Sequence, residues 1–376
     1  MDLHALPFDT HAMLRALRPW VECESPTYDP AAVGRMMAVA AADLQALGAT
    51  VEQIPGSGGF GPCVRGTLPH AGAGPGVLVL GHLDTVHPVG TLQTLAWREH
   101  EGRVWGPGIQ DMKGGVLLAL HALGELSRAG VPTALPVTVL LTSDEEVGSP
   151  STRALIEAEA ARHRFVLVPE PAHADGGVTT GRYAIARFSI RATGRPSHAG
   201  WALHAGRSAI RAMARQVGAI EDMTGPDCTF SVGIVRGGQW VNCVASVCEG
   251  EVLSMAKRQA DLDRGVARMM ALNTEADGVA FEVRRGVTRP VWEPSAETLA
   301  LHAHARAIAR TLGFDLPHAS AGGGSDGNFT GAMGIPTLDG LGVEGSGLHT
   351  LDEHIVAASL PRRGRLMAGL LAELGA

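Results

Sequence analysis

Histidine or acidic side chains follow a short apolar run at three places in the sequence. They are His82 and Asp84 in GHLDTVHP, Glu145 and Glu146 in SDEEVG, and Glu170 in VPEPAH. Imidazole and carboxylate groups are the nitrogen and oxygen ligands of zinc, and a carboxylate also serves as a general base. The conjunction therefore predicts a metal-dependent hydrolytic site.

The spacing of His82 and Asp84 has a specific use in such a site. A carboxylate two residues from an imidazole can hold the ring in one tautomer and make it a better metal ligand. Taken alone, this pair is also typical of an ordinary surface histidine. His87 follows in the same loop and is an alternative ligand, although His82 is nearer to the apolar run.

Asp111 lies in GPGIQDMKGG, a glycine-rich turn into a predicted helix. Gly106 and Gly108 match the first two glycines of a dinucleotide-binding loop. The third glycine is absent, and Asp111 would repel a pyrophosphate at the helix N-terminus. We therefore interpret Asp111 as a carboxylate that bridges metal ions. His349, in SGLHTLDEH, is a further candidate ligand, with Glu353 near enough to assist it.

Glu145 and Glu146 are adjacent and follow Asp144. Neighbouring acids are costly to bury unless a cation shares the site. On an extended chain, consecutive side chains point in opposite directions, so one glutamate could bind metal while the other transfers protons. A solvated acidic turn is the alternative interpretation.

The elements that must position these residues alternate along the first half of the chain. Residues 76–80, 137–142 and 165–169 are apolar runs typical of strands buried on both faces. Helices are predicted from 114 to 128 and from Ser149-Pro150 onward. This order predicts an α/β fold with a mainly parallel sheet, and ligands gather at the carboxyl ends of such strands.

A second domain is predicted to begin near Gly181. From there the strands alternate polar and apolar residues, as expected for strands with one solvent-exposed face, such as 187–192 and 281–285. The order strand, helix, two strands, helix, strand predicts a ferredoxin-like α+β insertion. We assign 181–289 to the inserted domain, and 1–180 with 290–376 to the catalytic domain.

Composition restricts the function further. The 376 residues are 45% hydrophobic and 18% charged, with a net charge of −7, which argues against nucleic acid or an anionic membrane as a partner. No secretion signal or spanning apolar segment is predicted. Five cysteines without a CxxC pair are typical of reduced thiols, so we expect a cytoplasmic protein.

The ordered motifs resemble the M20 metallopeptidase family, in particular its glutamate carboxypeptidase branch and the related N-acyl-amino-acid deacylases. The resemblance covers nearly the whole chain and rests on GHLDTVHP, DMKGG, SDEEVGS, PEP, GRPSHAG, GGGSDG and LHTLDEH. It implies two divalent ions, with zinc expected and cobalt or manganese as alternatives. It also implies a homodimer in which the inserted domain serves as dimerisation domain and lid.

The resemblance assigns roles to the residues of the site. One ion is implied at His82, Asp111 and Glu170, and the other at Asp111, Glu146 and His349. Glu145 is implied to be the general base and Asp84 to orient His82. A cis peptide bond is implied between Asp111 and Met112.

Three residues of the inserted domain are implied to act on the substrate. His198, in GRPSHAG, reaches across the dimer to the oxyanion, Asn242 contacts the substrate, and Arg289 receives its carboxylate. Ala245 and Met255 stand where the family usually has proline and arginine, which leaves glutamate specificity open.

The expected activity is hydrolysis of an amide or peptide bond beside a C-terminal amino acid with a free carboxylate, or deacylation of an N-acyl amino acid. Gly323, Ser325 and Gly327 also satisfy the GxSxG pattern of serine hydrolases. No buried strand precedes them, so the pattern lacks its required context. A non-catalytic binding protein on the same scaffold is the other alternative.

Overall fold

The computed structural model describes residues 2–375. Its α-helices, in chain order, are α1 (Thr10–Glu22), α2 (Pro30–Ala46), α3 (Gly114–Arg128), α4 (Arg153–Ala160), α5 (Ala209–Glu221), α6 (Gln259–Met270), α7 (Ala296–Thr311), α8 (Gly327–Ala332) and α9 (Ser359–Glu373).

The strands are short in the first part of the chain and longer in the middle. They are β1 (Thr50–Ile54), β2 (Cys63–Thr67), β3 (Gly76–His82), β4 (Arg98–His100), β5 (Arg103–Trp105), β6 (Val137–Thr142), β7 (His163–Leu167), β8 (Val178–Arg182), β9 (Ala184–Thr193), β10 (Cys228–Gly237), β11 (Val247–Ala256), β12 (Thr274–Ala276), β13 (Val279–Arg289), β14 (His318–Ala321), β15 (Thr337–Leu338), β16 (Gly345–Ser346) and β17 (His354–Val356).

The chain forms two compact units. The first comprises the chain up to Gly181, Glu293–Ala321 and the chain from Ser325 onward. The second comprises Arg182–Trp292 with Gly322–Gly324. An inserted segment thus interrupts the first unit.

The first unit is built on a six-stranded sheet in the order β1-β2-β6-β3-β7-β15. The pairs β3–β6, β3–β7 and β7–β15 are parallel, whereas β1 and β2 form an antiparallel edge. All seven residues of β3 are buried. Val77 and Val79 pack into one apolar cluster, and Leu78 and Leu80 pack into another on the opposite face. This confirms the predicted mainly parallel sheet with helices on both faces.

Local sequence explains where the helices of this unit begin. The Asp29 side chain accepts a hydrogen bond from the Ala32 backbone N–H, and Pro30 occupies the first helical turn of α2. The helix predicted at Ser149-Pro150 begins later, at Arg153. The strand predicted at 165–169 is shifted to His163–Leu167, although the Val168 N–H still donates to the Leu338 carbonyl oxygen at 2.9 Å.

The second unit has a five-stranded antiparallel sheet in the order β10-β11-β9-β13-β12. Along β9, Phe188 and Ile190 are buried, whereas Arg187 and Arg191 are exposed. Residues of α5 and α6 share one apolar cluster with the buried face, so both helices cover the same side. The predicted order of strand, helix, two strands, helix and strand is confirmed, with the short β12 added.

A four-stranded sheet in the order β16-β17-β5-β4 joins the C-terminal part of the first unit to residues 98–105. It brings the loop that contains His349 beside the turn that contains Asp111. In residues 2–375, no helix is long and apolar enough to cross a membrane.

Candidate metal centre

His82 lies at the end of the central strand β3 and is surrounded by carboxylates. Its Nε2 atom is 3.2 Å from Asp111 Oδ1, 3.7 Å from Glu170 Oε1 and 3.8 Å from Glu145 Oε2. The imidazole is 1% exposed, so these interactions are shielded from bulk solvent. The structure therefore brings together one residue from each of four separate motifs.

Asp111 lies between two histidines. Its Oδ2 atom is 3.3 Å from Nε2 of His349, on the side away from His82. The same His349 nitrogen is 3.2 Å from Glu146 Oε2. One carboxylate thus lies within 3.3 Å of both histidines of the cluster.

The donor set fits divalent cations. Ligand atoms of His82, Glu145 and Glu170 lie within 4.8 Å of one another, as do those of His82, Asp111 and Glu146. The Oε1 atom of Glu146 is buried and has no hydrogen-bond partner among the described residues. Mixed histidine and carboxylate sets of this kind suit zinc, and a cation would satisfy the unpartnered oxygen.

Crowded charges change the acid–base properties of these residues. Burial and the neighbouring Asp111 carboxylate raise the pKa of Glu146 to about 8 and the pKa of Glu170 well above its usual value. Hydrogen bonds to Asp111 and Glu146 raise the pKa of His349 to about 10. Burial alone would raise the pKa of Asp111, but hydrogen bonds from His349 and His82 lower it below its usual range. The cluster favours bound positive charge.

Asp84 is fully buried and positions several residues. The Nδ1–H group of His82 donates to the Asp84 carbonyl oxygen at 2.9 Å, which fixes the ring so that Nε2 faces the carboxylates. The Asp84 carboxylate accepts hydrogen bonds from the backbone N–H groups of Glu145 (3.2 Å) and Glu146 (3.3 Å). The hydroxyl of Thr27 donates to it at 2.7 Å. The sequence contained no signal for Thr27.

The two glutamates lie on a 3-10 turn, Glu145–Val147, and not on extended chain as predicted. Asp84 stabilises this turn, because its carboxylate accepts hydrogen bonds from both backbone N–H groups. The side chains nevertheless separate. Glu145 lies with His82 and Glu170, whereas Glu146 lies beside His349.

The turn before α3 carries Asp111. The Asp111–Met112 peptide bond is cis, which confirms the expectation from the resemblance. Lys113 is fully buried, donates from Nζ to the Cys23 carbonyl oxygen at 2.8 Å, and has a pKa lowered by burial to about 8. Its partner lies 90 residues away in sequence, so no local pattern predicts this contact.

Glycine makes the position of Glu170 possible. A Cβ atom at Gly115 would lie 1.8 Å from the Pro169 carbonyl oxygen, and one at Gly342 would lie 2.2 Å from the same atom. The backbone at Gly115 and the backbone at Gly342 thus both pack directly against Pro169, the residue before Glu170. Only glycine permits this contact.

Known proteins share this architecture. The model of the family described as peptidase family M20/M25/M40 matches residues 78–373, which contain every metal ligand proposed above. The chain belongs to this family. It is accordingly a hydrolase, and enzymes of the M20 family are metal-dependent.

Curated relatives and a solved structure agree with this assignment. Carboxypeptidase G2 of Pseudomonas sp. (strain RS-16) is 30% identical over 379 residues, covering 97% of this chain and 90% of that protein. A succinyl-diaminopimelate desuccinylase of Methylococcus capsulatus is 27% identical over 350 residues, covering 84% and 89%. An M20 family metallo-carboxypeptidase of Sulfolobus solfataricus has a similar fold, with a TM-score of 0.79, 13% identity and coverage of 96% and 98%.

His87, the alternative ligand to His82, lies outside both groups of ligand atoms. Its Nε2 atom is 2.7 Å from Glu353 Oε2, in a pair that is buried. Of the two candidate ligands, His82 and not His87 therefore lies among the other predicted ligands.

His198 lies in the second unit and is exposed. Its Nδ1 atom accepts hydrogen bonds from the backbone N–H groups of Gly200 (3.1 Å) and Trp201 (3.2 Å). A neutral ring that accepts at Nδ1 carries its proton at Nε2. His198 therefore presents a hydrogen-bond donor.

Asn242 lies next to His198, because His198 pairs with Cys243 in a β-bridge and the Ala199 N–H donates to the Asn242 carbonyl oxygen at 2.9 Å. Ala199 and Cys243 also line a cavity of about 900 Å³ within the second unit, together with Trp240. His198 and Asn242, which were predicted from separate motifs, thus lie side by side on the second unit.

Arg289, at the end of β13, is 4% exposed. A Cβ atom at Gly324 would lie 2.6 Å from Arg289 Cδ, so the glycine-rich motif makes room for this side chain.

Ser325 does not have the environment of a serine nucleophile. It is fully buried, and its hydroxyl donates to Asp339 Oδ2 at 2.5 Å while accepting from the Gly327 N–H at 2.9 Å. The nearest preceding strand, β14, is mostly exposed. The GxSxG pattern therefore has a structural role in the turn into α8.

Proposed function

We propose that this M20 enzyme is a two-ion hydrolase that cleaves an amide or peptide bond beside a C-terminal amino acid with a free carboxylate. The observation that carries the proposal is the position of Asp111, whose two carboxylate oxygens lie 3.2 Å from His82 and 3.3 Å from His349. A carboxylate shared by two histidines in this way supports a bridged pair of ions.

The proposed ligands are those expected from the resemblance. His82, Asp111 and Glu170 would hold one ion, and Asp111, Glu146 and His349 the other. Bound divalent ions, zinc above all, supply Lewis-acid activation of the substrate carbonyl and lower the pKa of a bound water. Cobalt and manganese take similar ligands and are alternatives.

Glu145 is the proposed general base. It takes a proton from the attacking water and passes it to the leaving amine, a role worth about 10²–10⁴-fold in rate. Its low exposure and its attachment to Asp84 through the backbone N–H support this role, because a base must be held in place. Asp84 thereby orients both the base and His82.

His198 is the proposed donor to the oxyanion. Its Nε2–H is available because Nδ1 is engaged by Gly200 and Trp201. We propose that the protein is a homodimer and that His198 acts in the partner subunit's site. Asn242, beside His198, is the proposed substrate contact.

Arg289 is the proposed receptor of the substrate's free carboxylate. A guanidinium can bind a carboxylate through two parallel hydrogen bonds, which gives both strength and orientation. This group would make a C-terminal carboxylate a requirement for the substrate.

Deacylation of a small N-acyl amino acid is the second candidate. The similarity to a desuccinylase over 84% of this chain favours it. Both activities release an amino acid, and they differ in what is attached to its nitrogen.

A release assay tests the proposal and separates the two candidates. Peptidyl and N-acyl amino acids with varied C-terminal residues are offered to protein loaded with zinc, cobalt or manganese. Peptidase activity predicts release from peptidyl substrates and none from the matching C-terminal amides, whereas a deacylase prefers short acyl groups. Full activity after metal removal with a chelator would refute both.

A further inference from the structure

Glu353 has a carboxylate that is 1% exposed and accepts hydrogen bonds with both oxygens. Oε1 accepts from the backbone N–H groups of Gln110 (2.8 Å) and Asp111 (3.1 Å). Oε2 accepts from the Gly108 N–H (2.9 Å) and lies 2.7 Å from Nε2 of His87. Three of these four partners belong to the backbone of the turn that carries Asp111.

The backbone of Glu353 is fixed on the same side. His354 pairs with Trp105 in the β17–β5 ladder, and the Gly106 N–H donates to the Glu353 carbonyl oxygen at 3.3 Å. The Cα atom of Glu353 therefore lies directly beside the turn that carries Asp111. His87 occupies the remaining side of the Glu353 carboxylate, with Nε2 2.7 Å from Oε2.

The turn depends on this acceptor. Hydrogen bonds to an ionised carboxylate are shorter and about twice as strong as neutral ones. A neutral replacement would leave buried N–H groups without a full partner, which is more costly than losing an exposed hydrogen bond.

The same short segment holds Asp111 in two ways. His349 lies 3.3 Å from Oδ2 of the Asp111 side chain, and Glu353, four residues later, accepts from the Asp111 backbone N–H. Movement of the turn would therefore change the distances from Asp111 to both His82 and His349.

We infer that Glu353, supported by His87, is a positioning residue that sets the Asp111 carboxylate between the two histidines and thereby sets metal affinity. This inference rests on the proposed function, because it takes Asp111 as a metal ligand. Glu353 is outside the proposed ligand set and would act through the turn.

Glu353→Gln tests the inference, because the amide keeps the shape but places N–H groups opposite the N–H groups of the turn. Zinc and cobalt dissociation constants are measured on metal-free protein by competition with a chromophoric chelator. The affinity should fall about 10–100-fold, as for other residues that orient metal ligands. The visible absorption spectrum of the cobalt-loaded variant should differ from that of wild type.

Asp352→Asn is the matched control. It removes the same charge from the adjacent residue, while the amide oxygen can still accept from Trp105 Nε1, as the carboxylate does at 3.0 Å. Its metal affinity should stay within about twofold of wild type. Circular dichroism establishes that each variant is folded.

His87→Phe provides a second variant in case Glu353→Gln does not fold. It removes one donor to the carboxylate and should weaken metal binding about tenfold. Wild-type affinity and an unchanged cobalt spectrum in every folded variant would overturn the inference. Absence of metal binding by the wild type would instead refute the proposed function, so the two failures are distinguishable.

Discussion

The Oδ2 atom of Asp111 lies 3.3 Å from Nε2 of His349, although one residue precedes α3 and the other lies near the C-terminal end of the chain. The Oδ1 atom of the same carboxylate faces His82. Asp111 is thus the side chain on which both proposed metal positions depend.

Asp111→Asn should remove both ions, because it takes the negative charge from the carboxylate shared by the two histidines while preserving its shape. Elemental analysis of purified protein measures the ion content per chain. Asp315→Asn is the control, since Asp315 is exposed and pairs with Arg306. Two tightly bound ions in Asp111→Asn would show that the bridging assignment is wrong.

Glu145→Gln and Glu146→Gln should have different consequences. Glu145→Gln should retain both ions and lose about 10²–10⁴-fold in kcat, because it removes the base and leaves its shape. Glu146→Gln should lose metal, because it removes the charge of a proposed ligand that lies 3.2 Å from His349. Turnover and metal content are measured on the same preparations. A loss of less than tenfold in Glu145→Gln would exclude it as the general base.

His198 can be tested by mixing two inactive variants. Glu145→Gln and His198→Ala should each be nearly inactive as homodimers. If His198 serves the partner subunit, a mixed dimer contains one site with both defects and one with neither. Random mixing in a two-fold symmetric dimer should restore roughly a quarter of wild-type activity. Mixed dimers without any recovery would mean that His198 does not act across subunits.

Gly115→Ala should destabilise the protein and displace Glu170, since the added methyl group would meet the Pro169 carbonyl oxygen at 1.8 Å. Overpacking of this kind costs about 1–3 kcal/mol. Gly218→Ala in α5 is the control, because a Cβ atom there has no neighbour within 4 Å among residues 2–375. This variant should be more stable than wild type by about 0.5–1 kcal/mol. Urea unfolding and metal content are the measurements. Equal stability of the two variants would contradict the close-approach argument.

Glu159 supplies a pH-dependent part of the stability. Its buried carboxylate contacts Arg65 at 2.7 Å, His163 at 3.0 Å and Arg162 at 3.2 Å. Burial opposes ionisation, but these partners, led by His163 and Arg65, lower the pKa of Glu159 below its ordinary value of 4.5. A lowered carboxyl pKa in the folded state means that the stabilisation is present above pH 4.5 and is lost as the pH falls through the lower folded value.

Glu159→Gln should therefore be less stable than wild type by about 1.5–3 kcal/mol at neutral pH. The difference should shrink as the pH is lowered below about 4.5. Glu157→Gln, which breaks only the Arg153 pair on the same helix, should cost about 0.3–0.5 kcal/mol. Thermal unfolding between pH 3 and pH 7 measures both. A difference for Glu159→Gln that does not change with pH would contradict the argument.

The strands that carry the site could be predicted from the sequence alone. An unbroken apolar run such as β3 must be buried on both faces, and parallel strands place the residues after their carboxyl ends at one edge of the sheet. Family motifs added the identity of the site residues, and His82, Asp111, Glu146 and His349 do lie together. The antiparallel edge formed by β1 and β2 was missed, because short, partly exposed strands have a weak pattern.

Local backbone geometry and hydrogen-bond partners were decided by the tertiary structure. Glu145 and Glu146 lie on a 3-10 turn because Asp84, distant in sequence, accepts from both of their N–H groups. Glu353 holds the backbone beside Asp111, although the sequence associated it only with His349. Residue type and spacing report which groups can do chemistry. Which buried donor meets which acceptor depends on how separate segments pack, and no local pattern encodes that.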